Sequence, residues 1–150
     1  MIRKYGCAIA IALMAGGAAA GCGGDDEEEP LSKAEYIKQG DAICKKGNAE
    51  LQKEADEMFK DLGENEQPSE EELGPFVEDV IKPNLESQLN DLRDLSPPEG
   101  DEDEVKAIYD KLEEGLGKVQ DDPALLLSED DPLQPATDAA GEYGFKECSK

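Results

Sequence analysis

The chain has 150 residues, 38 of them Asp or Glu against 15 Lys or Arg, and carries a formal charge of −23; it has no His and no Trp, and aromatics make up 5%. Such a surface repels nucleic-acid phosphates, so no nucleic-acid partner is expected. Without His the chain lacks the usual general base at neutral pH and the commonest metal ligand. It has no G-x-S-x-G, P-loop or H-E-x-x-H pattern. Carboxylates are too abundant for one pair to stand out, and a carboxylate hydrolase would want an aromatic cleft. Neither enzymatic activity nor a cofactor nor a bound metal is expected.

The first element reads as an export signal, the alternative being an uncleaved transmembrane anchor. Arg3 and Lys4 precede the uncharged run YGCAIAIALMAGGAAAG (5–21). This run is shorter than the ~20 residues of a spanning helix, and it ends in small residues. Two cleavage readings compete. A general signal peptidase would cut after Ala20 in AAA (18–20) and leave Cys22 as a thiol. Alternatively AAGC (19–22) resembles the lipobox of bacterial lipoproteins, with Ala19 where that family usually has Leu. That resemblance implies a diacylglyceryl group on the Cys22 sulfur, cleavage just before it, and attachment to the outer face of the cytoplasmic membrane. Residues 22–31 then form a flexible acidic tether, and two or more acyl chains hold at ~0.8 kcal/mol per buried methylene. Loss of Arg3 and Lys4 takes the charge from −23 to about −25.

Cysteine arithmetic follows from the anchor. Of Cys7, Cys22, Cys44 and Cys148, the first leaves with the leader. If Cys22 is acylated, two remain, and an exported chain favours pairing them. If Cys22 is free, an odd thiol is left over. A Cys44–Cys148 bridge would close a loop of about a hundred residues, worth up to ~4.7 kcal/mol in the chain-entropy model.

About 120 residues follow the tether, enough for one compact domain. Residues 31–63 open with Ser32 and Glu35, a capping box. Ile37, Cys44, Leu51 and Met58 recur at seven, with Asp41, Asn48, Ala55 and Leu62 four later, predicting a long helix closed by Gly63. Residues 65–100 carry a second apolar face from Leu73 to Leu95. Pro83 must kink or split that helix, and SPPEG stops it. A third helix spans 101–122, with acids at its positive end and Val105, Ile108, Leu112, Leu116 and Val119 on one face. PALLLSED (123–130) reads as an apolar turn or short helical piece. Asp131 and Pro132 then cap a fourth helix running to about Tyr143. No segment alternates as a strand would, so the fold is expected to be all-α, a small antiparallel bundle of about four helices. Cys44 lies roughly 18 Å into the first helix. A fourth helix running antiparallel from near Ala55 would end there.

Gly40, Asp41, Gly47 and Asn48 surround Cys44 on the inner stripe. A functional reading makes them a small polar pocket holding a cation. A structural reading has the glycines admit the C-terminal segment for the disulfide, with Asp41 and Asn48 at a wet edge. Tyr36, Tyr109 and Tyr143 read as core-edge packing. The acidic runs at 25–29, 70–72, 101–104 and 129–131 lack the EF-hand spacing and read as solvated charge.

AAGC, AEYIKQGDAIC and GEYGFKEC together make the chain similar to small predicted lipoproteins of actinobacterial type. That resemblance implies location and a cysteine pair, and no activity. The expected organisation is a signal at 1–21, a tether at 22–31 and one helical domain at 32–150. The expected function is a non-enzymatic binding or structural module that engages another envelope protein. The alternative is a low-affinity binder of divalent cations or cationic peptides.

Overall fold

The computed structural model describes residues 29–63 and 66–150. The leader, Cys22 and the first part of the tether lie outside the described residues. Four helical stretches build the fold, and no strand occurs among the described residues.

Helix α1 spans Lys33–Met58. Ser32 Oγ accepts the Glu35 N–H at 3.3 Å and donates to the Glu35 carboxylate at 2.6 Å, so the expected cap is present. These Ser32 contacts hold the Glu35 carboxyl below its ordinary range. The buried stripe is Tyr36, Gly40, Cys44 and Gly47. The heptad stripe continues past Leu51 through half-buried Ala55 and Leu62, but Met58 departs from it at 41% exposure. Twenty-six residues make a rod of about 39 Å, and its C-terminal end still meets the next stretch, where the Phe59 ring lies 4.9 Å from that of Phe76. The helix ends at Met58 rather than Gly63.

The second stretch is one helical path with a defect. Helix α2 (Glu70–Phe76) passes into a π segment (Val77–Ile81), and then into α3 (Lys82–Arg93). The Lys82 N–H bonds to Val77 O, five residues back. Pro83 has no N–H to give, and its ring would strike the carbonyl four residues earlier. The wider π turn opens the backbone there, so the helix is neither broken nor split. Ser69 starts the path, its N–H donating to Glu72 Oε2 at 2.8 Å.

Helix α4 covers Glu102–Asp121, followed by a 3₁₀ turn at Pro123–Leu127. Helix α5 is Gln134–Tyr143 and starts later than Asp131 and Pro132 would place it. Asp131 Oδ1 accepts the Leu133 N–H at 2.9 Å, which makes a local turn of those residues, and Pro135 takes the first-turn position. Gly144 closes α5 at φ 123°, a conformation that disfavours side chains.

Residue numbers fall along α3 as they rise along α1: Leu92 lies at Gly40 and Gln88 at Gly47. Helices α4 and α5 are also antiparallel, with Pro132 against Gly115 and Tyr143 bonded to Asp101. The main partner of α5 is α4, not α1. The expected fourth helix alongside the first is therefore replaced by a short tail of bends and turns. Residues 144–150 leave α5 and cross to α1, where Cys44 and Cys148 form a disulfide with Cα atoms 5.1 Å apart.

Candidate functional site: an interhelical cavity closed by the tail

The buried side chains form two clusters. One joins Tyr36, Cys44, Leu89, Leu92, Tyr109, Tyr143 and Phe145 among others; the second is Val77, Ile81, Leu116 and Val119. In the first, the Tyr109 hydroxyl donates to Leu92 O at 3.1 Å. Its proton is thereby spent, so the Tyr36 hydroxyl must donate to the Tyr109 oxygen. Burial is the main cause that raises the pKa of all three tyrosines, Tyr36, Tyr109 and Tyr143. For Tyr143 the hydrogen bond to Asp101, at 2.9 Å, adds to it. Lys33 completes this end, 3.3 Å from Asp101 and 3.8 Å above the Tyr143 ring. The tyrosines are thus core members with bridged hydroxyls.

Between the helices lies a cavity of about 480 Å³. Each wall is one face of a helix. Helix α1 supplies Cys44, Asn48 and Leu51, spaced four and three apart; the stretch through α3 supplies Ile81, Leu85, Gln88 and Leu92. Leu112 on α4, Leu126 on the 3₁₀ turn and Leu133 before α5 close the far side. Leu51, Leu85, Leu112, Leu126 and Leu133 come from five segments, and each is only half-buried. Where α5 faces the space it presents Ala136 and Ala140 together with the polar side chains of Gln134 and Thr137.

The tail is the remaining wall, through Phe145, Cys148 and Lys150. Three devices hold it. Asp41 Oδ1 accepts the N–H groups of Lys146 and Glu147 at 2.9 and 2.8 Å. Asn48 Nδ2 donates to Glu147 O at 2.9 Å. The disulfide ties Cys148 to the same helix. Asp41 and Asn48 are therefore tail clamps. Asn48 also borders the cavity, whereas Asp41 is not among its lining residues. The glycines divide their work. A Cβ on Gly40 would lie 2.5 Å from the Phe145 ring, so this glycine does admit the tail. At Gly47 the close neighbour is Gln88 of α3, 2.2 Å from such a Cβ, so that glycine admits a helix instead.

Nothing in the apolar periodicity distinguishes a face that meets its partner from one that borders a space. The signal available was composition: glycines at two contact points and alanines on α5 bring backbones near without filling the room between them.

Among the described residues no group of three or more His, Cys, Asp or Glu is placed to hold a metal ion, and no helix is long and apolar enough to cross a membrane. Compared with protein-family models, curated proteins and solved structures, the chain finds no match.

Proposed function

We propose that the chain is a cell-envelope lipoprotein whose helical part is a non-enzymatic binding module working through the interhelical cavity. Acyl groups on Cys22 would hold it at the outer face of the cytoplasmic membrane, and its partner would be another component of the envelope. The observation that carries the binding role is the 480 Å³ space walled by half-buried leucines. A chain this short gains most by packing its core closed. Five leucines left partly bare around one space forgo that gain, and a ligand would restore it. What supports the anchor is the basic start, the short apolar run, AAGC and the acidic residues after it. The acidic surface as a cation binder has no comparable feature.

Intact mass and membrane fractionation of the native protein beside Cys22→Ser test the anchor. The expected result is added acyl mass on a chain beginning at Cys22, with both mass and membrane association lost in the variant. An unmodified soluble chain beginning at Gly21 would sink it. The binding role is tested on a Cys22→Ser chain lacking the leader, with Nile red, an uncharged apolar dye. Saturable fluorescence abolished by Leu112→Trp is expected; an unsaturable signal indifferent to that change would overturn the cavity as the site.

A further inference from the structure

The cavity is a slot with one mouth. On the stretch through α3 its wall runs Ile81, Leu85, Gln88 and Leu92, one helical face about 16 Å long. A volume of about 480 Å³ drawn out along that face is narrow, and it suits a linear chain better than a ring system. Exposure marks the mouth. Of the residues that line the space, only Gln134 at the start of α5 and Lys150 at the end of the tail are exposed. The opening therefore lies between α5 and the tail. It is level with Cys44 and Asn48, the α1 residues that hold Cys148 and Glu147.

The chain itself carries a group that reaches this mouth. The Leu31 N–H donates to Ser96 O at 3.3 Å, which fixes the end of the tether at the start of α1. Cys44 and Asn48 lie about 18 and 24 Å further along that helix. From Cys22 to Leu31 the extended chain spans up to about 30 Å. A path along the tail side of α1 passes Lys38 and Lys45, exposed and seven residues apart beside Asp41, so the acidic run 25–29 meets cations on the way. A tethered group is present at an effective concentration on the order of millimolar.

Charge selects in the same direction. Lys150 Nζ already pairs with Glu147 Oε2 at 2.8 Å, and the other charged residue on the lining is Asp131. A free fatty acid or anionic phospholipid would bring its headgroup through the field of an acidic surface to a mouth with no unpaired cation. A diacylglyceryl group on Cys22 brings hydrocarbon and no charge.

Resting on both the Cys22 anchor and the cavity as the binding site, we infer that the cavity takes one of the protein's own acyl chains, folded back along α1 and entering between Gln134 and Lys150. The half-buried leucines then gain the contacts that the bundle leaves unmade. Membrane hold changes with it. Two chains anchor stably, whereas a single one binds marginally and reversibly. Withdrawing a chain into the cavity loosens the protein from the bilayer, and a ligand that displaced the chain would tighten it.

The test uses the native full-length lipoprotein, made in cells fed a fatty acid with a diazirine near its far end. Irradiation in native membranes expels dinitrogen, and the carbene left behind inserts into a C–H bond beside the chain end. Mass spectrometry should find the Cys22 peptide joined to peptides carrying Leu85 or Leu112 of the same chain. Leu112→Trp and Thr137→Phe, two independent ways to fill the slot, should each cut that product at least tenfold with helicity retained. Both should also slow transfer of the protein between vesicles. Leu127→Ala, at an exposed leucine that does not border the cavity, should change neither. A labelled Cys22 joined only to membrane lipid would overturn the inference and leave the anchor standing. Joining of isotope-light to isotope-heavy chains in mixed vesicles would place the acyl chain in a neighbouring copy, and would overturn it as well. A Cys22 that takes up no label would overturn the anchor and this inference together, while Nile red binding by the leaderless chain would still judge the cavity.

Discussion

The two ends of the bundle are built from different materials. At one, Tyr36, Tyr109, Tyr143 and Phe145 cluster, with Tyr36 and Tyr143 edge to face at 6.2 Å, and the tyrosine hydroxyls bond to one another, to a backbone carbonyl and to a carboxylate. A disulfide and the Asp41 and Asn48 clamps fasten the tail close by. At the other, Val77, Ile81, Leu116 and Val119 pack with no polar partner, beside a π segment and a 3₁₀ turn. The first end is specified by directional bonds and a covalent tie, the second by volume alone. The cavity lies between them, bordered by Tyr109 and Phe145 on one side and Ile81 and Leu126 on the other. A space can persist there because the tail that walls it is held from the tied end, not by filling the middle.

Breaking the covalent tie should give the largest effect. Cys148→Ser opens a loop with a sequence separation of 104. The chain-entropy value for such a loop is ~4.7 kcal/mol, and losses of about 2–5 kcal/mol are usual for small exported domains. Urea unfolding should show a loss in that range, with amide exchange accelerated first in residues 144–150. A loss under about 1 kcal/mol would mean that Asp41 and Asn48 already hold the tail without the bond.

The volume-specified end is tested by Gly115→Ala. Its Cβ would lie 2.4 Å from the backbone oxygen of Pro132, which cannot rotate away as a side chain could. Helix α5 would have to move off α4, at a cost of about 1–3 kcal/mol by analogy with overpacked cores. The thermal midpoint should fall, and the cavity, walled in part by Ala136 and Leu133, should change its affinity for Nile red.

Much of the tied end was legible in the residues. Ser32 and Glu35 announced the start of α1 because a cap is a local bond between neighbours. The Cys44–Cys148 pair followed from counting once Cys22 was set aside as the anchor. Local chemistry also foretold trouble at Pro83, although it could not say that a π turn would absorb it. The failures were long-range. The heptad stripe through Met58 was periodic, but periodicity does not report which neighbour meets the partner near the helix end, and there Phe59, one residue on, packs against Phe76. The partner of α5 was misjudged because a disulfide near Cys44 is met equally well by a helix or by a short turning tail. The cavity was hidden because Leu51, Leu85 and Leu112 carry the same apolar signal whether or not another side chain reaches them.

Alkaline titration sharpens the contrast at the aromatic end. Tyr36, Tyr109 and Tyr143 have pKa values raised above the ordinary value near 10. A raised native pKa means that the folded chain keeps protons the unfolded chain gives up. Stability from this source is therefore complete below about pH 10 and is lost as the pH rises above it. Phenolate absorbance of a chain lacking the leader should stay low well past that point and then appear together with the loss of helicity. Early, noncooperative ionisation would show that the hydroxyls are open to water. Tyr36→Phe, which removes the donor to Tyr109, should lower stability at neutral pH by about 1 kcal/mol.

The smallest effect should be a gain. Gly117 lies two residues beyond Gly115 on α4, and a Cβ there meets nothing within 4 Å. Gly117→Ala should raise stability by roughly 0.5–1 kcal/mol, because the glycine costs helix propensity without permitting any close approach. The pair of neighbouring substitutions isolates one variable: both exchange hydrogen for methyl on the same helix, and only one meets a backbone. If Gly115→Ala were as stabilising as Gly117→Ala, α5 would not press on α4 at Pro132. The cavity wall that depends on this contact would then be movable from the aliphatic end, and the tied tail would be the only fixed side of the site.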